Sequence, residues 1–174
     1  MNAGILVGGA GSRMGGRAKG LLLTPDGETI VDRWRRLFGA LGLPCLLVGV
    51  RPEYAGLGLP VVPDDPPGVG PLGGLAALLA RGSAVAVACD MPYVTEDLLR
   101  RLVAAPDAPI VAPRRDDGRW EPLFARYAAA VLPWVRARLE RRALSLQGLL
   151  DEAGAVPLPV SDWDELRDWD MLPE

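Results

Sequence analysis

Three stretches of this sequence combine residue types and spacings that could do chemistry. The first is a loop at residues 8–19, GGAGSRMGGRAK, in which five glycines stand with two arginines and Lys19. The second is DDPPGVGPLGG at residues 64–74, and the third is Asp90, which follows an apolar run. Glycine N–H groups and cationic side chains together bind phosphate oxygens. The first loop therefore predicts a phosphate site, although the glycines alone would also suit a wide turn.

Lys19 is the only lysine of the chain, whereas the other 18 of its 19 basic residues are arginines. An ammonium is a compact point charge and a guanidinium is a planar fork, so the two side chains are not interchangeable at a phosphate. We therefore expect Lys19 to make a contact that arginine cannot reproduce.

Composition excludes several classes of function. The chain has no histidine, which excludes histidine-based catalytic triads and zinc sites with histidine ligands. A net charge of −3 provides no bulk attraction for nucleic acid. We expect no membrane span and no signal peptide. Cys45 and Cys89 stand in apolar runs, which favours two buried thiols and a cytoplasmic location over a disulfide.

The elements that must position these residues alternate between strand and helix. We predict strands at residues 5–7, 46–50, 59–63, 84–88, 109–113 and 156–160, and helices at 29–41, 72–80, after Thr95, and at 128–139 and 144–150. This alternation predicts one α/β domain, residues 1–174, with a three-layer αβα Rossmann-like fold and a mostly parallel central sheet. Ligands of such sheets bind at the carboxyl ends of the strands, so both glycine loops and Asp90 should meet at one edge.

The first loop does not match the common phosphate-binding motifs. A P-loop needs Ser or Thr directly after Gly-Lys, but Lys19 follows Ala18 and precedes Gly20. A dinucleotide fingerprint needs a third glycine where Met14 stands, and no acidic residue follows the second predicted strand.

What the loop does resemble is narrower. The run LVGGAGSRMGGRAK, residues 6–19, is similar to the start of nucleotidyltransferases that build activated nucleotides from an NTP. The segment PGVGPLGG, residues 67–74, and Cys89-Asp90-Met91-Pro92 resemble those of molybdenum cofactor guanylyltransferases in particular. The resemblance implies a nucleotidyltransferase fold and transfer of GMP from GTP to molybdopterin, with release of pyrophosphate. It also implies Mg²⁺ as cofactor, and molybdenum-insertion proteins and molybdoenzyme chaperones as further partners.

The same resemblance implies roles for individual residues. Arg13, Lys19 and Asp90 would be catalytic, and Asp90 would hold Mg²⁺, an ion that needs few protein ligands beside phosphates and water. The alternative interpretation is that Asp90 only stabilises a turn or caps a helix. The predicted nucleotide contacts are Leu6, Val7, Gly8, Gly9, Arg13, Lys19, Asp64, Gly70, Pro71, Leu72 and Asp90. The segment at residues 70–72 would read guanine with its backbone, unless it is only a tight turn before a helix.

Parts of the chain depart from the family pattern. Val48 replaces a common asparagine, and the last seven residues, DWDMLPE, replace the motif N-x-N-T-P-E-D. Asp168 and Asp170 could still be carboxylates on the metal side, and for Asp170 a solvated tail is equally open. Residues 120–124 resemble a segment near the acceptor. A related transferase that uses CTP or a sugar phosphate, and a non-catalytic nucleotide-binding partner, remain alternatives.

Overall fold

A computed structural model of the chain describes residues 1–8 and 18–169. Gly9, Arg13 and Asp170, which carry sequence-based predictions, lie outside the described residues. Among the helices of the described residues, none has the length and apolar character needed to cross a bilayer.

The described residues form one sheet of seven strands in the order β3-β2-β1-β4-β6-β5-β7. Only β6 runs against its neighbours β4 and β5, and every other pairing in the sheet is parallel. The prediction of a mostly parallel sheet is therefore confirmed. The strands are β1 Asn2–Leu6, β2 Cys45–Val48, β3 Val61–Val62, β4 Ala84–Ala88, β5 Ile110–Pro113, β6 Phe124–Tyr127 and β7 Val156–Leu158.

In the part of the chain that the structure describes, five α-helices cover both faces of the sheet and give the predicted three layers. Helices α1 and α3 pack on one face and α2, α4 and α5 on the other, each face with its own apolar cluster. Side-chain oxygens of Thr29, Thr95 and Ser145 accept hydrogen bonds at the N-termini of α1, α3 and α5. The helices are α1 Ile30–Ala40, α2 Pro71–Leu79, α3 Glu96–Ala104, α4 Leu132–Glu140 and α5 Leu146–Glu152.

The first strand begins three residues earlier than predicted, at Asn2, and ends at Leu6. Ala3 and Gly4 gave a weak strand signal because neither has a β-branched side chain. Gly4 is required by packing, since a Cβ there would stand 2.5 Å from Leu78 Cδ2 of helix α2. The absence of a side chain therefore lets α2 approach the sheet closely.

Strand β6 does not appear among the strands predicted from the sequence. Arg126 interrupts the apolar pattern, and its guanidinium donates to the carbonyls of Val103 and Ala105 at the end of helix α3, at 2.9 and 2.6 Å. Residues 129–131 form a 3₁₀ turn, so the helix predicted from residue 128 begins as α4 at Leu132. Further 3₁₀ helices lie at Lys19–Leu21, Pro52–Leu57 and Trp163–Leu166.

Candidate active site

A cavity of about 900 Å³ opens at the carboxyl ends of β1, β2 and β4. This is the sheet edge that the alternation of strands and helices predicts. Eight of the eleven predicted nucleotide contacts line it: Leu6, Val7, Gly8, Lys19, Asp64, Gly70, Pro71 and Asp90. We call this wall the glycine half of the cavity.

An ion pair between Lys19 and Asp90 forms part of the glycine half. Lys19 Nζ donates to Asp90 Oδ2 at 3.0 Å, and each side chain keeps 19% of its surface exposed. Lys19 begins a 3₁₀ helix, whereas Asp90 follows β4. Two loops that are far apart in sequence thus place a cation and an anion side by side where a phosphate and its counter-ion could enter.

The main chain around Asp90 is held by three different elements. The carbonyl of Ala88 accepts from Trp34 Nε1 of helix α1 at 3.1 Å, and its N–H donates to Leu123 at 2.8 Å. The carbonyl of Asp90 accepts from the N–H of Trp169 at 2.9 Å. Since Thr95 caps α3, Asp90 is not the cap of that helix. Its carboxylate is therefore a fixed group that faces the cavity.

Asp64 lies where three glycines let the backbone come close. A Cβ on Gly74 would stand 3.0 Å from Asp64 Oδ1, and one on Gly8 would stand 3.4 Å from Oδ2. Gly49, with φ 101°, lies against the backbone of Gly8. Burial in this setting raises the pKa of Asp64. Its neighbour Asp65 does not line the cavity, so of these two adjacent carboxylates it is Asp64 that faces the ligand space.

The N-terminus of α2 borders the cavity at Gly70 and Pro71. Gly70 has φ 76°, a left-handed conformation that favours glycine, and Pro71 occupies the first helical turn, where it needs no hydrogen-bond donor. Leu72 is different: its side chain is fully buried in the apolar cluster under α2 and does not line the cavity. The whole residue, backbone included, is buried, so the structure brings Leu72 to no surface of the cavity.

A second group of lining side chains, which we call the arginine half, includes Trp120 and Glu121 from the segment that resembles one near the acceptor; the other members carried no prediction from the sequence. Arg115 donates from Nε to Glu121 Oε1 at 2.5 Å, and its Cζ lies 4.8 Å from the ring centre of Trp163. The residues that define this half are Arg115, Arg119, Trp120, Glu121, Trp163 and Arg167.

Gln147 fixes the backbone of the arginine half. Its Oε1 accepts from the N–H of Trp120 and its Nε2 donates to the carbonyl of the same residue, both at 2.8 Å. The indole N–H of Trp120 donates to Asp151 Oδ1, also at 2.8 Å. Gln147 is the only glutamine of the chain, and that scarcity was the one signal in the sequence that could have found it.

The segment that follows Trp163 closes one side of the cavity and is tied to the loop after Asp90. Trp169 Nε1 donates to Tyr93 Oη at 2.8 Å, and Arg167 Cζ lies 4.7 Å above the Tyr93 ring. The hydrogen bond from Trp169 Nε1 is the largest of the causes that lower the pKa of Tyr93. This segment brings Asp168 to the lining of the cavity that Asp90 also lines.

The carboxylates fit one kind of metal ion. Within residues 1–8 and 18–169 no three carboxylate or thiol groups cluster as an all-protein metal cage would require. Asp90 and Asp168 both line the cavity, and Trp169 joins their backbones. Mg²⁺ takes one or two carboxylates together with phosphate oxygens and water, so this donor set suits it.

The two cysteines are free thiols, as the sequence predicted. Burial raises the pKa of Cys45 to about 11. Burial, with the neighbouring charge of Asp90 as the second cause, raises the pKa of Cys89 to about 11 as well. Although Cys89 lines the cavity, it is therefore a neutral thiol at pH 7 and a poor nucleophile.

Comparison with known proteins gives a consistent result. The model of the MobA-like NTP transferase domain matches residues 3–155. The chain is 36% identical over 166 residues to a molybdenum cofactor guanylyltransferase of Rhodobacter capsulatus, an alignment that covers 89% of this chain and 82% of the relative. It is 34% identical over 174 residues to a probable molybdenum cofactor guanylyltransferase of Mycobacterium tuberculosis, covering 92% of this chain and 84% of the relative.

Solved structures agree on the fold. The crystal structure of molybdopterin-guanine dinucleotide biosynthesis protein A from Archaeoglobus fulgidus superimposes with a TM-score of 0.75 at 24% identity, over 94% of this chain and 85% of that one. A nucleotidyl transferase from Methanothermobacter gives a TM-score of 0.70 at 21% identity, over 97% of this chain and 91% of that one. At these identities the likeness concerns the fold, and it matches the sheet described above.

Proposed function

This chain belongs to the MobA-like NTP transferase family, and we propose that it transfers GMP from GTP to molybdopterin, with release of pyrophosphate. The observation that carries the proposal is the glycine half of the cavity. There Gly8, the Lys19–Asp90 pair and the Gly70–Pro71 turn line one space at the carboxyl ends of the strands. The names and coverage of the relatives support the choice of substrates.

The proposed reaction needs no proton acceptor. A phosphate oxygen of molybdopterin attacks the α-phosphorus of GTP, the bond from that phosphorus to the β-phosphate oxygen breaks, and pyrophosphate leaves. The attacking phosphate is already anionic, which is consistent with a chain that has no histidine. The barrier comes from bringing one anion to another, and preorganised positive charge is the main way to lower it.

Lys19 is the described cation best placed for this task. Its ammonium lies on the cavity wall, held 3.0 Å from Asp90. Asp90 would hold Mg²⁺, with Asp168 as the second carboxylate on that side. When bound, Mg²⁺ supplies charge neutralisation on the phosphate oxygens. The catalytic role of Arg13 and the nucleotide contact of Gly9 stay predictions from the sequence.

The two substrates would occupy the two halves of the cavity. In the glycine half, the backbone at Gly70 and Pro71 presents N–H and C=O groups that can read the edge of guanine. In the arginine half, Glu121 can accept from the N–H groups of the pterin ring, and Arg119 and Arg167 can attract its phosphate. Backbone groups of the glycine half and side chains of the arginine half would thus orient the two substrates.

A cytoplasmic location belongs to the same proposal, because the free thiols of Cys45 and Cys89 suit a reducing compartment. Molybdenum-insertion proteins and molybdoenzyme chaperones, which would supply the acceptor and receive the product, stay predictions from the sequence resemblance.

The deciding experiment measures pyrophosphate release by the purified chain with molybdopterin, GTP and Mg²⁺. We expect the rate of pyrophosphate release to be at least about tenfold lower with CTP than with GTP. Hydrogen bonds to one edge of guanine would not be reproduced by cytosine. Mannose 1-phosphate in place of molybdopterin should give no turnover. Faster release with CTP would contradict the base assignment, and GTP binding without any release would favour the non-catalytic alternative.

A further inference from the structure

The phenol of Tyr54 lies next to both loops that supply the Lys19–Asp90 pair. The hydroxyl of Tyr54 accepts from the N–H of Gly20, the residue after Lys19, at 3.1 Å in a buried setting. The same hydroxyl interacts electrostatically with the thiol of Cys89, the residue before Asp90. Tyr54 therefore holds one of the two loops that supply the ion pair and adjoins the other.

The contact at Gly20 has almost no room to shift. Gly20 is buried, and a Cβ there would stand 2.7 Å from Val31 Cγ2 and 3.0 Å from Tyr54 Oη. Because its N–H is buried, losing the phenol would leave that donor unsatisfied. The backbone that follows Lys19 is thus fixed between helix α1 and the Tyr54 ring.

The ring itself is delivered by a short, well-anchored element. Tyr54 stands in the 3₁₀ helix Pro52–Leu57 and is only 3% exposed. Its N–H donates to the carbonyl of Arg51 at 3.1 Å, and the carbonyl of Leu57 accepts from Arg35 of helix α1 at 3.2 Å. Only three residues separate this 3₁₀ helix from the end of β2, so the position of Tyr54 is fixed relative to the sheet.

We propose that Tyr54 is a positioning residue of the transferase reaction, which sets the place of the Lys19 ammonium relative to the Asp90 carboxylate through the backbone at Gly20. The inference rests on the proposed function, and it assigns Tyr54 no contact with substrate. A displacement of about 1 Å in a catalytic group can lower a rate by about 100-fold, so a residue of this kind matters without touching the reaction.

The test is a double-mutant cycle between Tyr54→Phe and Lys19→Ala, read in two ways. Turnover is measured as pyrophosphate release, and GTP affinity is measured by calorimetry in MgCl₂ buffer. We expect Tyr54→Phe alone to lower kcat about tenfold and to weaken GTP affinity about fivefold, because the displaced Lys19 ammonium would also bind the triphosphate less well. In the Lys19→Ala background the same change should alter kcat and GTP affinity less than about twofold, because Tyr54 acts through Lys19.

Two further variants separate positioning from stability. Tyr127→Phe removes another buried tyrosine hydroxyl, which donates to the carbonyl of Pro122 at 2.6 Å, and reports the loss of such a bond by itself. Cys89→Ala removes the thiol beside Tyr54 but leaves the hydrogen bond to Gly20 in place, so it should lower kcat less than Tyr54→Phe does.

The outcomes are distinct from those of the proposed function. If the wild-type chain releases no pyrophosphate, the function fails and the calorimetric cycle alone decides the role of Tyr54. Independent, additive effects of Tyr54→Phe and Lys19→Ala on kcat and GTP affinity would overturn the inference. The inference would also be overturned if Tyr127→Phe lowered kcat as much as Tyr54→Phe does while the two variants lose the same amount of Tm.

Discussion

The two halves of the cavity are built by different means. The glycine half is made of strand ends and of backbone at Gly8 and Gly70, with one ion pair between Lys19 and Asp90. The arginine half is made of long side chains that hold each other, such as Arg115 with Trp163 and Glu121. The backbone forms most of the surface of the glycine half, whereas long side chains form the surface of the arginine half.

This difference separates two kinds of recognition. Backbone groups at the end of a sheet have fixed positions, so they suit phosphates and a base edge that must be placed the same way in every turnover. Long side chains on a turn and on a short helix can be replaced without moving the sheet, and they suit selection of the acceptor. Changes in the glycine half should therefore reduce turnover or stability, whereas changes in the arginine half should affect the acceptor alone.

Asp90→Ala should have the largest effect on this comparison. We expect kcat for pyrophosphate release to fall about 1,000-fold or more, because the site loses its fixed carboxylate and Lys19 loses its 3.0 Å partner. Circular dichroism should show an intact fold, since Trp34 and Trp169 bond to the main chain of residues 88–90 and not to the carboxylate. Asp116→Ala, in an exposed turn, is the matched control and should keep the wild-type rate.

Lys19→Arg should come next, with a fall of about 10- to 100-fold in kcat. The planar guanidinium is larger than the ammonium, and the cavity wall holds Lys19 Nζ 3.0 Å from Asp90. Arg136→Lys on the exposed surface of helix α4 makes the reverse exchange away from the site and should change nothing. A Lys19→Arg enzyme with the wild-type rate would refute the inference drawn from the single lysine of the chain.

Most of the glycine half could be predicted from the sequence because its signals are local. An apolar run followed by Cys-Asp-Met-Pro places Asp90 at a strand end, and Gly70-Pro71 marks the start of a helix. Leu72 shows the limit of such a prediction. It was read as part of a motif, but one residue into the helix its side chain turns to the core, where it is fully buried.

Apart from residues 120–124, the arginine half could not be predicted, because its contacts join residues that are distant in sequence. Gln147 and Trp120 are 27 residues apart, and neither has a neighbour that points to the other. The antiparallel strand β6 was missed for a related reason. Arg126 looks out of place in a central strand until the carbonyls at the end of α3 are seen to accept its hydrogen bonds.

Trp163→Ala tests the arginine half. Arg115 loses the ring that lies 4.8 Å from its Cζ, and we expect the KM for molybdopterin to rise about tenfold while the Kd for GTP stays within about twofold. Trp134→Ala removes an exposed tryptophan of helix α4 that does not line the cavity, and should leave both constants unchanged. An equal loss of GTP affinity would show that the two halves are not separate.

Gly73→Ala tests whether the backbone of the glycine half tolerates change. The added Cβ would overlap the carbonyl oxygen of Pro66, so the loop before α2 must move. We expect the free energy of unfolding to fall by about 1–3 kcal/mol and GTP affinity to weaken severalfold. Gly39→Ala, in helix α1 with open space around the new Cβ, should instead raise the free energy of unfolding by about 0.5–1 kcal/mol. Equal effects of the two changes on thermal unfolding would contradict the close approach at Gly73.

The smallest effect concerns two carboxylates whose pKa values shift in opposite directions. Burial raises the pKa of Asp64, so the folded chain holds that proton more tightly than the unfolded chain does. Ionised Asp64 therefore costs stability at pH 7, and Asp64→Asn should raise the Tm by about 1–2 °C there. Below the unfolded pKa of about 3.9 both states are protonated, and the difference should disappear.

Glu152 gives the opposite sign in the same measurement. Its hydrogen bond from Arg138, aided by Arg141, lowers its pKa. Glu152→Gln should therefore lower the Tm at pH 7, and the difference should vanish as the pH falls through the folded pKa of Glu152. Thermal unfolding of both variants between pH 3 and 7 checks the pair. If Asp64→Asn also lowered the Tm at pH 7, a neighbouring group must stabilise the ionised carboxylate of Asp64. The surroundings of Asp64 in the glycine half would then be polar enough to hold a carboxylate beside a triphosphate.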